Sequence, residues 1–113
     1  MELAYSAEIS SLDDVSNALI FKDPKNKFER YINACSVIPK IVQIYNEGDV
    51  PDWSDTNQYK YVPCRYLSGG VWLVDSDWST YPDSPGSFYF VRKEDSDDAL
   101  KRFITIYDDF WNG

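Results

Sequence analysis

Asp75, Asp77 and Ser79 stand two residues apart in the run DSDWS, the spacing with which a calcium loop presents its first three oxygen ligands. The loop chemistry fails at its two most demanding places. Thr80 stands where the sharp turn needs Gly, and Gly86 where a bidentate Glu would close the coordination sphere. The chain has no His, which excludes Ser–His and Cys–His nucleophile pairs and every His-containing zinc site. Cys35 and Cys64 alone cannot build an all-cysteine zinc site, and no G-x-x-x-x-G-K-[ST] or G-x-G-x-x-G phosphate loop occurs. Asp108 and Asp109 are adjacent carboxylates, but helical neighbours splay about 100° apart, which suits hydration better than acid–base work. The expectation is a protein that is not an enzyme, with no catalytic residue, no metal and no cofactor.

Charge and aromatic residues are the chemistry that remains. Nineteen acidic residues against eleven basic ones give a net charge of −8, which repels phosphate backbones and disfavours direct nucleic-acid binding. The acids cluster as Glu47, Asp49, Asp52 and Asp55, as Asp75, Asp77 and Asp83, and as Glu94, Asp95, Asp97 and Asp98. Residues 48–58 and 75–87 each combine a Trp with several Asp and hold no base. Both stretches read as long loops. Aromatic anchors inside an acidic rim suit docking on a basic partner, so the candidate partner-binding residues are Asp52, Trp53, Asp55, Asp75, Asp77, Trp78 and Tyr81. The competing structural reading has the Asp and Asn side chains bonding nearby turn amides, with Trp53 folded back over the boundary between two layers.

Helices and strands must position these residues. Leu12, Val15, Ala18 and Leu19 repeat at helical spacing behind Ser10 or Ser11 as N-cap, with Asp13 and Asp14 three residues on. Pro24 and Asn26 break that pattern. A second helix takes Phe28, Tyr31, Ile32, Cys35, Ile38, Val42 and Tyr45 as its apolar face, with Glu29, Arg30, Asn33, Lys40 and Gln43 elsewhere. Asn26 and Glu29 form a capping-box variant, and Gly48 suits a left-handed C-terminal cap. Pro39 predicts a kink or break near Ile38. A third helix begins at Ser96, carries Asp97 and Asp98 in its first turn, and buries Ala99, Leu100, Phe103, Ile104, Tyr107, Phe110 and Trp111.

Between them QYKYVPCRYL, VWLV and SFYFVR read as three strands, with SGG as a turn and Pro63 at an edge or bulge. At 113 residues the chain is one domain, 1–113, expected to bury roughly 65% of its unfolded surface. The predicted fold is α+β: a small antiparallel three-stranded meander packed against two to three helices, with the C-terminal helix on the sheet. No apolar run reaches the roughly 18 residues of a membrane span, and the N-terminal residues show no basic n-region or long h-region. A cytoplasmic protein with reduced, packing thiols is expected.

The order N-E-G, P-D-W and Q-Y-K-Y, then F-I-x-x-Y-x-D-F near the end, resembles a family of small uncharacterised proteins from phages and mobile elements of gut Bacteroidetes. The likeness spans roughly residues 28–112; Pro39 and the run YVPCRY depart from it. The resemblance implies a phage-like setting, hence a host cell's cytoplasm, and assigns no catalytic or binding residue. The expected function is a non-enzymatic acidic interaction module of phage or mobile-element type. Its partner would be a basic host protein or nucleoprotein complex, with no direct nucleic acid and no membrane contact, and its furthest extension an inhibitor of a host defence protein in the manner of an anti-CRISPR. The alternative is a small-molecule binder or minor enzyme with an aromatic pocket lined by Tyr59, Tyr61, Trp72 and Phe88.

Overall fold

The computed structural model describes residues 15–80 and 88–112. In chain order these form α1 (Lys27–Asn46), the antiparallel pair β1 (Lys60–Ser68) and β2 (Val71–Ser79), α2 (Lys93–Arg102) and α3 (Ile104–Trp111). The class is α+β, as expected, and the sheet has two strands rather than three. Of the first expected helix, residues 15–16 are helical. Its start at Ser10 or Ser11, with Leu12, Asp13 and Asp14, lies outside the described residues, as do Tyr81 and Asp83. No helix among the described residues is long and apolar enough to cross a membrane.

α1 is the spine. Asn26 Oδ1 accepts from the Glu29 amide at 2.9 Å, and Glu29 Oε1 reaches back to the Lys25 amide at 2.9 Å, which satisfies two donors at the helix start. The helix runs through Pro39 without a break. The residues around it, Val37, Ile38, Ile41 and Val42, are all buried, and their packing offsets the roughly 3 kcal/mol that an interior proline costs. The left-handed cap falls on Glu47 (φ 51°), one residue before the expected Gly48, which follows at φ 90°. Two further corrections concern its faces. Phe28 is 65% exposed, one turn before the helix meets the core. Asn33 is buried, because its side chain accepts from the Ile20 and Phe21 amides and donates to the Phe21 carbonyl.

The expected third helix is two helices. α2 starts four residues early, with Arg92 at the N-cap position, and the expected cap Ser96 is a fully buried interior residue. Phe103 (φ −119°, ψ 32°) breaks the helical path, so α2 packs on the hairpin while α3 packs on α1. Of the helix expected on the sheet, the first half (α2) therefore lies on it, the second half (α3) lies mainly on α1, and Ile104 is exposed. The core gathers Ala34, Val37, Ile38, Ile41, Val42 and Tyr45 of α1 with Val15, Phe90, Ala99, Phe103 and Tyr107.

The third strand reduces to one bridge. Tyr61 and Phe90 exchange both backbone hydrogen bonds, at 2.8 and 2.6 Å. Two residues along the same edge stands Pro63, which has no N–H to offer Phe88; two residues back, Tyr59 would face Arg92, where the chain turns into α2. A proline on one side and a helix start on the other leave room for a single pair.

Candidate interaction face of the hairpin

β1 and β2 pair in continuous register from Lys60↔Ser79 to Ser68↔Val71, closed by Gly69 and Gly70 with φ 57° and 81°. Two consecutive positive φ values are what a two-residue type I′ hairpin requires. The pairing extends β2 through Asp75–Ser79, which the sequence placed in a loop; the ladder to Lys60–Cys64 overrides the turn-like Asp and Ser composition. Alternation then fixes the faces. Tyr61, Pro63, Arg65, Ser76 and Trp78 share one, and Val62, Cys64, Tyr66, Leu73, Asp75 and Asp77 share the other.

The first face belongs to the helices. Ser76 Oγ lies 2.8 Å from Ser96 Oγ and also donates to Asp97. Burial opposes ionisation of Asp97, yet the Ser76 hydroxyl and the Lys93 ammonium outweigh it and hold its carboxyl below the usual carboxylate range. The Arg65 guanidinium donates to Asn112 Oδ1 at 2.7 Å and lies over the Trp72 ring, 4.7 Å from its centroid.

Among the described residues the second face is covered at its Lys60–Ser79 end. Trp53 stands edge-on to Tyr89 (centroids 5.0 Å apart), and the fully buried Lys60 places its ammonium 5.0 Å from the Trp53 centroid while donating to the Asp55 carbonyl at 2.8 Å. Trp53 is thus half-buried and folded back over the layer boundary. Asp52 accepts from the Ser54 hydroxyl at 2.6 Å and its amide at 3.0 Å, and this pair of bonds holds its carboxyl below the ordinary value. Asp55 accepts from the Asn57 amide at 2.9 Å. Both act as turn formers with exposed flanks.

Beyond this cover the face is open. Asp75 and Asp77 are exposed, and neither makes an ion pair among the described residues. Each accepts one backbone amide at 2.8 Å, from Ser76 and Trp78 respectively. Both amides point off the outer edge of β2, so the two carboxylates cap edge donors that would otherwise be free. An open groove of about 440 Å³ runs between Cys64, Arg65, Tyr66, Asp75, Ser76 and Asp77. Burial, helped by the Asp77 carboxylate, pushes the Cys64 thiol up, so it is no thiolate nucleophile; Cys35 and Cys64 are both free.

The expected site therefore divides. Asp75 and Asp77 share the open face, Asp52, Trp53 and Asp55 border it, and Trp78 lies on the opposite face, 55% exposed and stacked on Tyr59 at 4.5 Å. Tyr66 and Leu73 belong to the face and escaped the sequence reading; the two-residue step from Leu73 to Asp75 was the available signal for Leu73, and Tyr66 needed the register that sets it opposite Leu73. The expected aromatic pocket does not form among the described residues. Tyr59 stacks on Trp78, Tyr61 bridges to Phe90, Trp72 lies under Arg65, and Phe88 tilts against Phe110. A separate cavity of about 180 Å³ between α1 and α3 is lined by Leu19, Ala34, Val37 and Ile106, with Arg30 and Asp109 beside them. Among the described residues no cluster of His, Cys, Asp or Glu could hold a metal ion. No protein-family model, curated protein or solved structure matches the chain.

Proposed function

We propose that the protein is a non-enzymatic interaction module that docks the open hairpin face on a basic protein surface. The observation that carries this reading is the pair Asp75 and Asp77, exposed beside Tyr66 and Leu73, with no ion pair to either among the described residues; Lys93, the cation that Asp75 influences, is paired to Asp97. A face of this make-up attracts a cationic partner over distance and offers apolar contact once the partner arrives. The chain's net charge of −8 argues against direct contact with nucleic acid and for the basic surfaces of proteins that handle it. In the phage-like setting that the resemblance implies, such a target is a host defence or nucleic-acid-handling protein, and the module acts as its inhibitor in the host cytoplasm, in the manner of an anti-CRISPR.

The test is charge removal that spares the fold. Asn in place of Asp keeps a side-chain oxygen for the Ser76 and Trp78 amides, so Asp75→Asn with Asp77→Asn deletes charge without opening the edge. Partners would be captured from host lysate with nuclease present, and association rates measured for wild type, the double Asn variant and Asp75→Lys with Asp77→Lys. The expected order is wild type fastest and double Lys slowest, with the wild-type rate falling as salt rises, since screening acts over roughly 8–10 Å. Equal rates and equal salt slopes across the three proteins would remove the acidic face from the account.

A further inference from the structure

The hairpin tip carries a separate signal. Residues 66–74, YLSGGVWLV, hold no charge and no proline, and Tyr66, Leu67, Val71, Trp72, Leu73 and Val74 are 42–59% exposed. Along the outer edge of β2 the amides of Trp72, Val74, Ser76 and Trp78 all point away from β1. Asp75 and Asp77 cap the last two. The amides of Trp72 and Val74 have no partner among the described residues. A long, flat, apolar strand edge with free donors pairs readily with another strand.

We infer that the occupant is a second copy of this chain, paired β2 to β2 about a two-fold axis through Leu73. One antiparallel register uses only the two uncapped residues, setting Trp72 opposite Val74 of the second copy and Leu73 opposite its own equivalent. In this register Asp75 faces Val71 and Asp77 faces Gly69, so no like charges stand opposite one another. A cationic peptide gains nothing from the neutral tip, whereas an identical neutral tip is self-complementary in shape and charge. If each of the four exposed β2 side chains, Val71 to Val74, contributes about 100 Å², the side-chain contact is on the order of 800 Å² over both copies, the size of a weak association to which the main-chain bonds at Trp72 and Val74 add. The pair forms a four-stranded sheet with both acidic faces on one side, since a two-fold axis normal to the sheet keeps each face where it is.

The inference stands on the strand edge and does not require the acidic-face reading. Salt separates the two, because screening strengthens the pairing of two copies carrying −8 each and weakens capture of a basic partner. Sedimentation of wild type across the micromolar to millimolar range is expected to shift from the 13.1 kDa chain mass towards twice that value, at lower concentration when salt is added. Val74→Pro deletes an outward N–H, as Pro63 does in β1, and is expected to stay folded by circular dichroism and monomeric throughout. Cross-linking gives a second measurement independent of that variant's folding. In a background of Cys35→Ser and Cys64→Ser, Leu73→Cys places two thiols on the axis with Cα atoms about 4.5 Å apart, within disulfide reach. Val71→Cys leaves its two thiols about 14 Å apart in the same register. Oxidised dimer from Leu73→Cys and none from Val71→Cys is the expected result. A wild type that stays at the chain mass at all concentrations, a folded Val74→Pro that still dimerises, or cross-linking at Val71 in place of Leu73 would each overturn the proposal.

Discussion

One face of the hairpin buries Pro63 and sets Ser76 against the fully buried Ser96 of α2, while the other leaves Tyr66, Leu73, Asp75 and Asp77 facing solvent. Both faces mix apolar and small polar residues, and nothing in their composition says which is covered. Coverage is decided from the other side. Ser96 and Ala99 are small and fully buried, so α2 approaches β1 and β2 closely, and Arg65 ties the covered face to the end of α3. Among the described residues the open face meets the Trp53 roof at one end. Stability is therefore concentrated on the helical side, and the open side is available for recognition.

The largest effect that tests this division is at Phe103, 3% exposed where α2 gives way to α3. Phe103→Ala should cost about 3–5 kcal/mol, much of the stability of a domain this size. Leu73→Ala on the open face, measured in dilute solution, should change stability by less than about 0.5 kcal/mol. Urea titration of the two variants reads the contrast directly, and equal losses would mean that the open face is packed.

Asn46 sharpens the comparison at the seam between the faces. Its buried side chain donates to the Tyr89 carbonyl at 3.2 Å and accepts from the Val91 amide at 3.1 Å. That pins the segment whose Phe90 enters the core and whose Tyr89 supports Trp53. Asn46→Ala strands both backbone groups and should cost about 1–3 kcal/mol. Trp fluorescence should shift with it, because the Trp53 roof loses its support. An unshifted spectrum would separate Trp53 from this clamp.

Periodicity made α1 and its Asn26 cap legible, because both depend on neighbours within four residues. Periodicity puts Asn33 off the apolar face, because the partners that bury it, the backbone of Ile20 and Phe21, are thirteen and twelve residues away. The break at Phe103 has no Gly or Pro to announce it; one apolar stripe serves two different partners, α1 and the hairpin. Pro63 was recognisable as an edge residue, but its consequence, a third strand cut to one pair at Phe90, needed the register. Within the candidate site Asp75 and Asp77 were legible as uncompensated charge. Their place on a strand was hidden by the same Asp and Ser residues that resemble a loop.

The last contrast is inside the core itself, at two tyrosines with opposite hydroxyl environments. The Tyr45 hydroxyl donates to Asp98 Oδ2 at 2.6 Å, so Tyr45→Phe removes a bond to a charged acceptor and should cost about 1.5–3 kcal/mol. The Tyr107 hydroxyl is buried with no partner among the described residues, and burial pushes its phenol well above the ordinary value. Tyr107→Phe keeps the ring that packs in the core and removes only an oxygen that burial penalises. Its effect on stability should lie between about zero and 1 kcal/mol in the stabilising direction. The urea midpoint would stay or rise, with an unchanged slope showing that compactness is preserved. A loss of more than about 1 kcal/mol would mean that the hydroxyl is satisfied by a buried water or another partner. The helical side would then hold one more satisfied polar contact beside those of Tyr45, Asn46 and Ser96, and its stability would rest less on apolar burial alone.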